Sequence, residues 1–320
     1  VNDILPLKDI SSKIAFLEMG DSKSDEFFKM LNHYTKVDKI EYDSEILRKI
    51  EPYNIVIVGF HKSNKSPFDP YKFSKSDKEI LELISKNKKV ILNIFAKPYA
   101  LMDVDMTNIS SIIVSYQNNS TAQNKSAQII FGALPAVGKL PVSINNKYPV
   151  HTSIKTTTLD RLSYGLPSNI IFDLDKLNSI DLFVEDAIEN KMTPGAQVLI
   201  AKNGKVIFNK NYGYKTYNKT EPIDWDNIYD LASLTKILSS VPLLMNEYEN
   251  NTIDEESTLF DIIPDLNLRD KSNLLLKEML AHQSGLYPWI PFYKETLDSI
   301  NHDPLISFYS KKKTNFFLFL

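Results

Sequence analysis

The chain has 320 residues, a net charge of −3 and a pI near 6.0, long enough for two domains that each bury a core. Nothing in that balance carries an electrostatic footprint for nucleic acid, and no segment nears the roughly 18 apolar residues that span a membrane. With no cysteine there are no disulfides and no thiolate chemistry, and no two of His33, His61, His151, His282 and His302 stand at a metal-ligand spacing; neither a metal nor a cofactor is expected.

In chain order, Lys13–Met19 predicts a short buried strand ending at Gly20, and Phe27, Phe28 and Leu31 suit one face of a following helix. Asn54–Phe60 is β-branched and almost continuously apolar, as a central parallel strand covered on both faces must be. Ser76–Ile84 predicts a helix with Ile80, Leu81, Leu83 and Ile84 inward, followed by strands at Lys89–Phe95 and Ile109–Ser115 and a helix from about Thr121 to Phe131. Alternation at these lengths means an open, mostly parallel α/β sheet. The first strand leads into Gly20-Asp21-Ser22-Lys23-Ser24 rather than a G-x-G-x-x-G loop, which argues against a nucleotide. A ligand of such a sheet lies beyond the carboxyl ends of its strands, which makes His61 and Lys62, with Ser63, Lys97 and Gln117, the candidate positions; the plainer reading of His61 is a surface loop. Leu140–Ile144 reads as a short edge strand tolerant of Pro141, and Asn145 to about Asn169 as an aperiodic connection.

In the second half, Asp173–Asn190 predicts a helix with a stripe of Leu174, Leu177, Ile180, Val184 and Ile188. Gln197–Ala201 and Lys205–Asn209 flank Lys202-Asn203-Gly204, a tight hairpin turn. From Ser233 onward Ile237, Val241, Leu244 and Tyr248 mark a buried helical stripe, and Leu274–Leu280 predicts a helix that turns into His282-Gln283-Ser284-Gly285-Leu286. Two strands after residue 170 do not make a self-sufficient sheet layer, so further strands are expected from elsewhere.

The chemistry gathers at Ser233-Leu234-Thr235-Lys236. Residues i and i+3 share a helix face, so the Ser233 hydroxyl and the Lys236 amine can meet one turn apart. In the first turn, free backbone N–H groups favour negative charge developing on the serine oxygen. A lysine partly desolvated beside it would have a depressed pKa and accept the serine proton. The bland reading is a serine N-cap in an ordinary helix. His282 is tempting as a base for Ser233, but no orienting partner is placed by the sequence, so His282 and Ser284 read as a structural loop beneath the serine helix. Gly285 would supply a backbone conformation closed to side chains.

Residues 190–290 resemble serine β-lactamases and penicillin-recognising hydrolases of the class C and esterase-like branch. Ser233-Leu-Thr-Lys236 looks like the nucleophile motif and His282-Gln-Ser-Gly-Leu286 like the His-x-Ser-Gly-Leu structural loop. Residues 1 to about 150 resemble the second, α/β-sandwich domain of family 3 glycoside hydrolases, notably β-N-acetylglucosaminidase-like members, on Leu5-Pro6-Leu7 and Gly138-Lys-Leu-Pro-Val-Ser-Ile144. The tandem order resembles bacterial proteins, especially of the Bacteroidetes.

The resemblance implies an α/β sandwich over 1–150, a linker over 151–169, and over 170–320 the first part of a β-lactamase/transpeptidase-like α+β domain. It implies a secreted or periplasmic hydrolase with a carbohydrate or peptidoglycan-like substrate for one half and a small ester or amide for the serine site. The glycosidase barrel with its nucleophilic aspartate has no counterpart here, nor do the Tyr-x-Asn-type and Lys/His-Thr-Gly motifs; Phe308-Tyr309-Ser310-Lys311 lacks the acid or amide. The expectation is an internal piece, inactive in both chemistries, with an altered tail after Lys311-Lys312-Lys313; whether it is an enzyme is left open. The rival is a non-catalytic, carbohydrate-associated or scaffolding module whose Ser-x-x-Lys is vestigial.

Overall fold

A computed structural model describes residues 4–63, 65–66, 68–165, 174–264 and 271–297. The contacts divide the chain into two compact units, 1–227 and 228–320. That division falls elsewhere than the boundaries expected at 150 and 170, which remain a proposal about family domains. The tail after Lys311 and the 308–311 stretch lie outside the described residues.

The first unit opens with β1 (Ile14–Gly20), α1 (Asp25–Asn32), β2 (Val37–Ile40), α2 (Ile46–Ile50), β3 (Ile55–His61), α3 (Lys75–Asn87), β4 (Lys89–Phe95), β5 (Ser111–Val114) and α4 (Ser120–Ile130). The five strands pair in parallel in the order β2-β1-β3-β4-β5. Period-two alternation sends Ile55 and Ile57 of β3 to one face, with Phe16, Phe27, Leu31, Phe95 and Ile130. Val56, Val58 and Phe60 go to the other, with Leu81, Ile84 and Leu92. Both faces are covered, which is why β3 is apolar at nearly every position and wholly buried. Ser74 starts α3 through a capping box with Asp77, and the Asn119 side chain caps α4 at Ala122 N–H.

Three details depart from the sequence reading. β2 and α2 were not expected, being too short to show a period. Leu83 is 39% exposed, because it lies off the Leu81–Ile84 stripe of α3. Leu140–Ile144 is not a strand: Leu140 exchanges backbone bonds with Thr152 and His151, and Ile144 turns back to Tyr148. Pro141 has no N–H to give a ladder, and the segment closes on itself.

The connection is firmly tied up to residue 165. Arg161 donates from Nη1 to the Leu7 and Phe131 carbonyls and from Nη2 to that of Lys8. Gln128, itself buried, bonds both backbone groups of Tyr164, and Tyr34 Oη donates to the Leu162 carbonyl. Ser163–Tyr164 then forms β6, which pairs in parallel with Lys205–Val206 and makes a third strand unforeseen in the sequence.

That second sheet has the order β6-β8-β7, with β7 (Gly195–Lys202) and β8 (Lys205–Gly213) antiparallel. Asn203 and Gly204 both take positive φ, 51° and 71°, as a type I′ turn demands. α5 (Leu174–Glu189) lies against β8, where Lys210 and Tyr212 both bond Asp181. Its stripe is only half-buried at Leu177, Ile180, Val184 and Ile188, while Leu182 and Phe183 are exposed.

In the second unit a π-helical turn at Lys236–Ser240 runs into α6 (Val241–Glu249), followed by α7 (Leu259–Ile262) and α8 (Leu276–Leu280). Pro242 explains the π turn: it has no N–H for the Leu238 carbonyl, and the widened turn relieves its ring. The expected buried stripe is not buried. Val241 and Leu244 are half-exposed, Ile237 and Tyr248 61% and 51% exposed. No described layer covers that face. No helix among the described residues is long and apolar enough to cross a membrane.

Candidate functional site

Asp230 begins the serine turn by accepting the Ala232 N–H at 2.8 Å. Ala232 then takes φ +43°, a left-handed conformation that costs an L-residue about 1–2 kcal/mol. Leu234, Thr235 and Lys236 each bond the carbonyl three residues back, which winds the first turn tightly. Lys236 Nζ thereby reaches Ser233 Oγ at 3.1 Å. The one-turn meeting read from the spacing is present.

Two features bear on what the pair can do. The Ser233 N–H has no bond among those of the described residues, so it is open to an oxyanion formed at the adjacent oxygen. Both side chains stand exposed rather than in a desolvated pocket. Water therefore competes for the amine, and no tyrosine hydroxyl bonds Lys236 among the described residues.

At the other motif, α8 ends in a Schellman arrangement with Ala281 as C-cap. His282 lies at φ +58° and donates its N–H to the Met279 carbonyl, and Gln283 donates to that of Glu278. His282 therefore shapes the helix end through its backbone. Gly285 takes φ +71°, the left-handed conformation expected of it. Among the described residues no hydrogen bond joins His282 or Ser284 to Ser233 or Lys236.

His61 is no surface residue. It ends β3 fully buried, stacks on Phe95 at 4.3 Å between ring centroids, and places Nδ1 2.9 Å from Asn118 Oδ1. Burial pushes its pKa down to about 4, against a smaller opposing effect of the Asn118 bond. Its Nε2 has no hydrogen-bond partner among the described residues, and a Cβ on Gly59 would stand 2.5 Å from it. The sequence could not show this, because a histidine after an apolar strand reads as the first loop residue.

Lys62 bonds Asp21 at 2.8 Å, and Asp21 N–H bonds the His61 carbonyl. The Lys62 ammonium holds the Asp21 carboxyl below its usual range. These contacts bridge the loops after β1 and β3, where the order of this sheet reverses and a ligand would sit. His61 is thus turned into the sheet, and the Lys62 ammonium is paired with Asp21.

Comparison with known proteins bears on the second half. The β-lactamase family model matches residues 183–315. Protein flp of Staphylococcus aureus strain NCTC 8325 is 29% identical over 115 residues, 35% of this chain and 23% of that protein. The teichoic acid D-alanine hydrolase of S. aureus strain MRSA252 is 24% identical over 186 residues, 54% of this chain and 43% of that protein. The chain thus spans less than half the length of either relative, and both come from Staphylococcus rather than the Bacteroidetes. Among solved structures, the beta-glucoside phosphorylase BglX aligns with a TM-score of 0.33 and 16% identity over 41% of this chain and 26% of that one, too low to carry an argument. The chain has an α/β parallel-sheet region, and the later stretch matched by the β-lactamase family model takes in β7, β8 and the Ser233–Lys236 pair.

Proposed function

We propose that Ser233 is the nucleophile and Lys236 the proton carrier of a serine acyl hydrolase acting on a small ester or amide. The observation that carries this reading is the 3.1 Å contact between Lys236 Nζ and Ser233 Oγ, at a strained turn inside the β-lactamase-matched stretch. In the reaction the Lys236 amine takes the proton from Ser233 Oγ as that oxygen bonds the acyl carbon. The Ser233 N–H donates to the oxyanion. The bond to the leaving group then breaks, and the Lys236 ammonium returns its proton to the departing oxygen or nitrogen. Water hydrolyses the acyl-serine with the same amine as base. The name of one relative, a teichoic acid D-alanine hydrolase, favours a D-alanyl group as the acyl part.

With Lys236 exposed and no second proton carrier bonded to it among the described residues, the chain is expected to acylate without sustained turnover. Mixed with p-nitrophenyl acetate it is expected to release about one equivalent of nitrophenol in a burst. Ser233→Ala should remove the burst. No Ser233-dependent burst refutes the nucleophile; a fast Ser233-dependent steady state refutes the claim that the pair is insufficient.

Residues 1–150 we take as the second domain of a family 3 glycosidase of a bacterial, secreted or periplasmic protein, supported by the five-stranded parallel order and the Gly138–Ile144 segment. No carboxylate of this sequence is assigned the glycosidase nucleophile, so the chain is expected to leave 4-nitrophenyl N-acetyl-β-glucosaminide intact, and cleavage by the pure protein would contradict that. Exposure of Ser233 and Lys236 is the observation that favours the rival scaffold reading, which predicts no burst.

A further inference from the structure

A cleft of about 580 Å³ lies within the first unit between α1 and the hairpin. That volume is in the range of small-ligand sites. Its floor follows from strand geometry. Side chains of β8 alternate, so Lys210 and Tyr212 share the side on which Asp181 of α5 bonds both, although the long Lys210 chain also reaches the cleft rim. Asn209 and Asn211 are left on the opposite face, and both line the cleft. Trp225, 46% exposed, and Asp224 stand beside them, with Lys29 and His33 of α1 across the gap.

The amides are held ready. Gln197, cross-strand from Asn211, donates to Asn211 Oδ1 at 3.4 Å and to the Asp224 carbonyl, which leaves the Asn211 NH₂ to the cleft. No hydrogen bond of the Asn209 side chain occurs among the described residues. The two walls are fixed to each other through Tyr164, which stacks on His33 at 4.7 Å, is bonded by Gln128, and pairs with Val206 of β8.

Charge selects the ligand further. Lys210 is answered by Asp181, Lys29 and Asp224 add one lining charge of each sign, and burial holds His33 below its usual pKa. No excess of either sign faces the cleft, which disfavours phosphate or carboxylate ligands. A tryptophan face beside unpaired amides suits a ring with an apolar face and a hydroxyl-rich edge.

We propose that this cleft binds a neutral oligosaccharide, one ring lying on Trp225 and its hydroxyl or acetamido groups bonded to Asn209 and Asn211. The site rests on its own geometry and is independent of the serine reading.

The chain has two tryptophans, so in the Trp289→Phe protein Trp225 is the sole reporter. Titration of that protein with cellotetraose and with chitotetraose, each to ~10 mM, is expected to give a saturable emission change with at least one of them. Replacing Asn209 and Asn211 together by Ala should weaken binding about tenfold or more, roughly 1.4 kcal/mol, with the circular-dichroism spectrum unchanged. Should that double variant unfold, Asn209→Asp and Asn211→Asp keep the side-chain shape and carry the same expectation. No saturable change with either sugar in the folded protein, or undiminished affinity in the asparagine variants, overturns the proposal.

Discussion

His61 shows how far one side chain can be moved by its surroundings. Its folded pKa of about 4 lies below the unfolded value near 6.5 because the ring is stacked on Phe95 out of reach of water. Above pH ~6.5 both states are neutral and the group contributes no pH dependence. As pH falls from ~6.5 to ~4 the unfolded chain takes up a proton that the folded one refuses. About 3 kcal/mol of stability is lost over that window and no more below it. Denaturant midpoints at pH 7 and 4.5 should show this slope, and His61→Asn should flatten it; an equal slope in the variant would mean that another group titrates. Lys236 makes the opposite point. Its contact with Ser233 is local, set by three residues of chain, and so was legible from the spacing alone. Its solvation is not local, so the desolvated pocket inferred from the same spacing does not exist among the described residues.

At the scale of elements, two glycines give a matched test. A Cβ on Gly20 would lie 2.1 Å from the His61 carbonyl oxygen, at φ +95°, whereas Gly138 has nothing within 4 Å. Gly20→Ala should cost about 3 kcal/mol or more by forcing apart β1 and the end of β3, and Gly138→Ala should stay within about 0.5 kcal/mol. Equal melting points for the two would show that the close approach is not real. Arg161→Ala should cost about 2–3 kcal/mol, since it strips a cation from three carbonyls that tie residues 7–8 and 131 to the connection. β1, β3, β4 and the Asn203–Gly204 hairpin were readable because burial on both faces, or a turn with positive φ, stamps its pattern on consecutive residues. β6 was not. Its two residues are made a strand by Gln128 and by Lys205–Val206, partners 36 or more positions away. Pro242 was in plain view within an apolar helical pattern, but the pattern carried no sign that the turn before it would widen.

Over the whole molecule, the parallel-sheet region encloses its core while the second unit leaves apolar groups in water. Leu234, Ile237, Leu238, Leu243 and Met245 are each more than half exposed. Exposed apolar groups of this number favour binding of hydrophobic dyes. The native chain should therefore enhance anilinonaphthalene sulfonate fluorescence at neutral pH, and replacing Leu243 and Met245 together by Ser should lower the signal without lowering the melting temperature. A signal unchanged by those substitutions would place the dye elsewhere. The sequence showed a switch from strand–helix alternation to hairpin and motif, whereas the two compact units divide later, at 227/228, after the hairpin. What covers the serine helix it did not announce, because amphipathic periodicity shows that a face is apolar and not what lies against it.

The central claim, that Ser233 is a nucleophile served by Lys236, is tested most directly by peptide mapping after exposure of the folded chain to a fluorophosphonate probe. The expected result is a single adduct on Ser233, absent in Ser233→Ala and formed about a hundredfold or more slowly in Lys236→Ala. No adduct at Ser233, or one that forms as fast without the lysine amine, would contradict it.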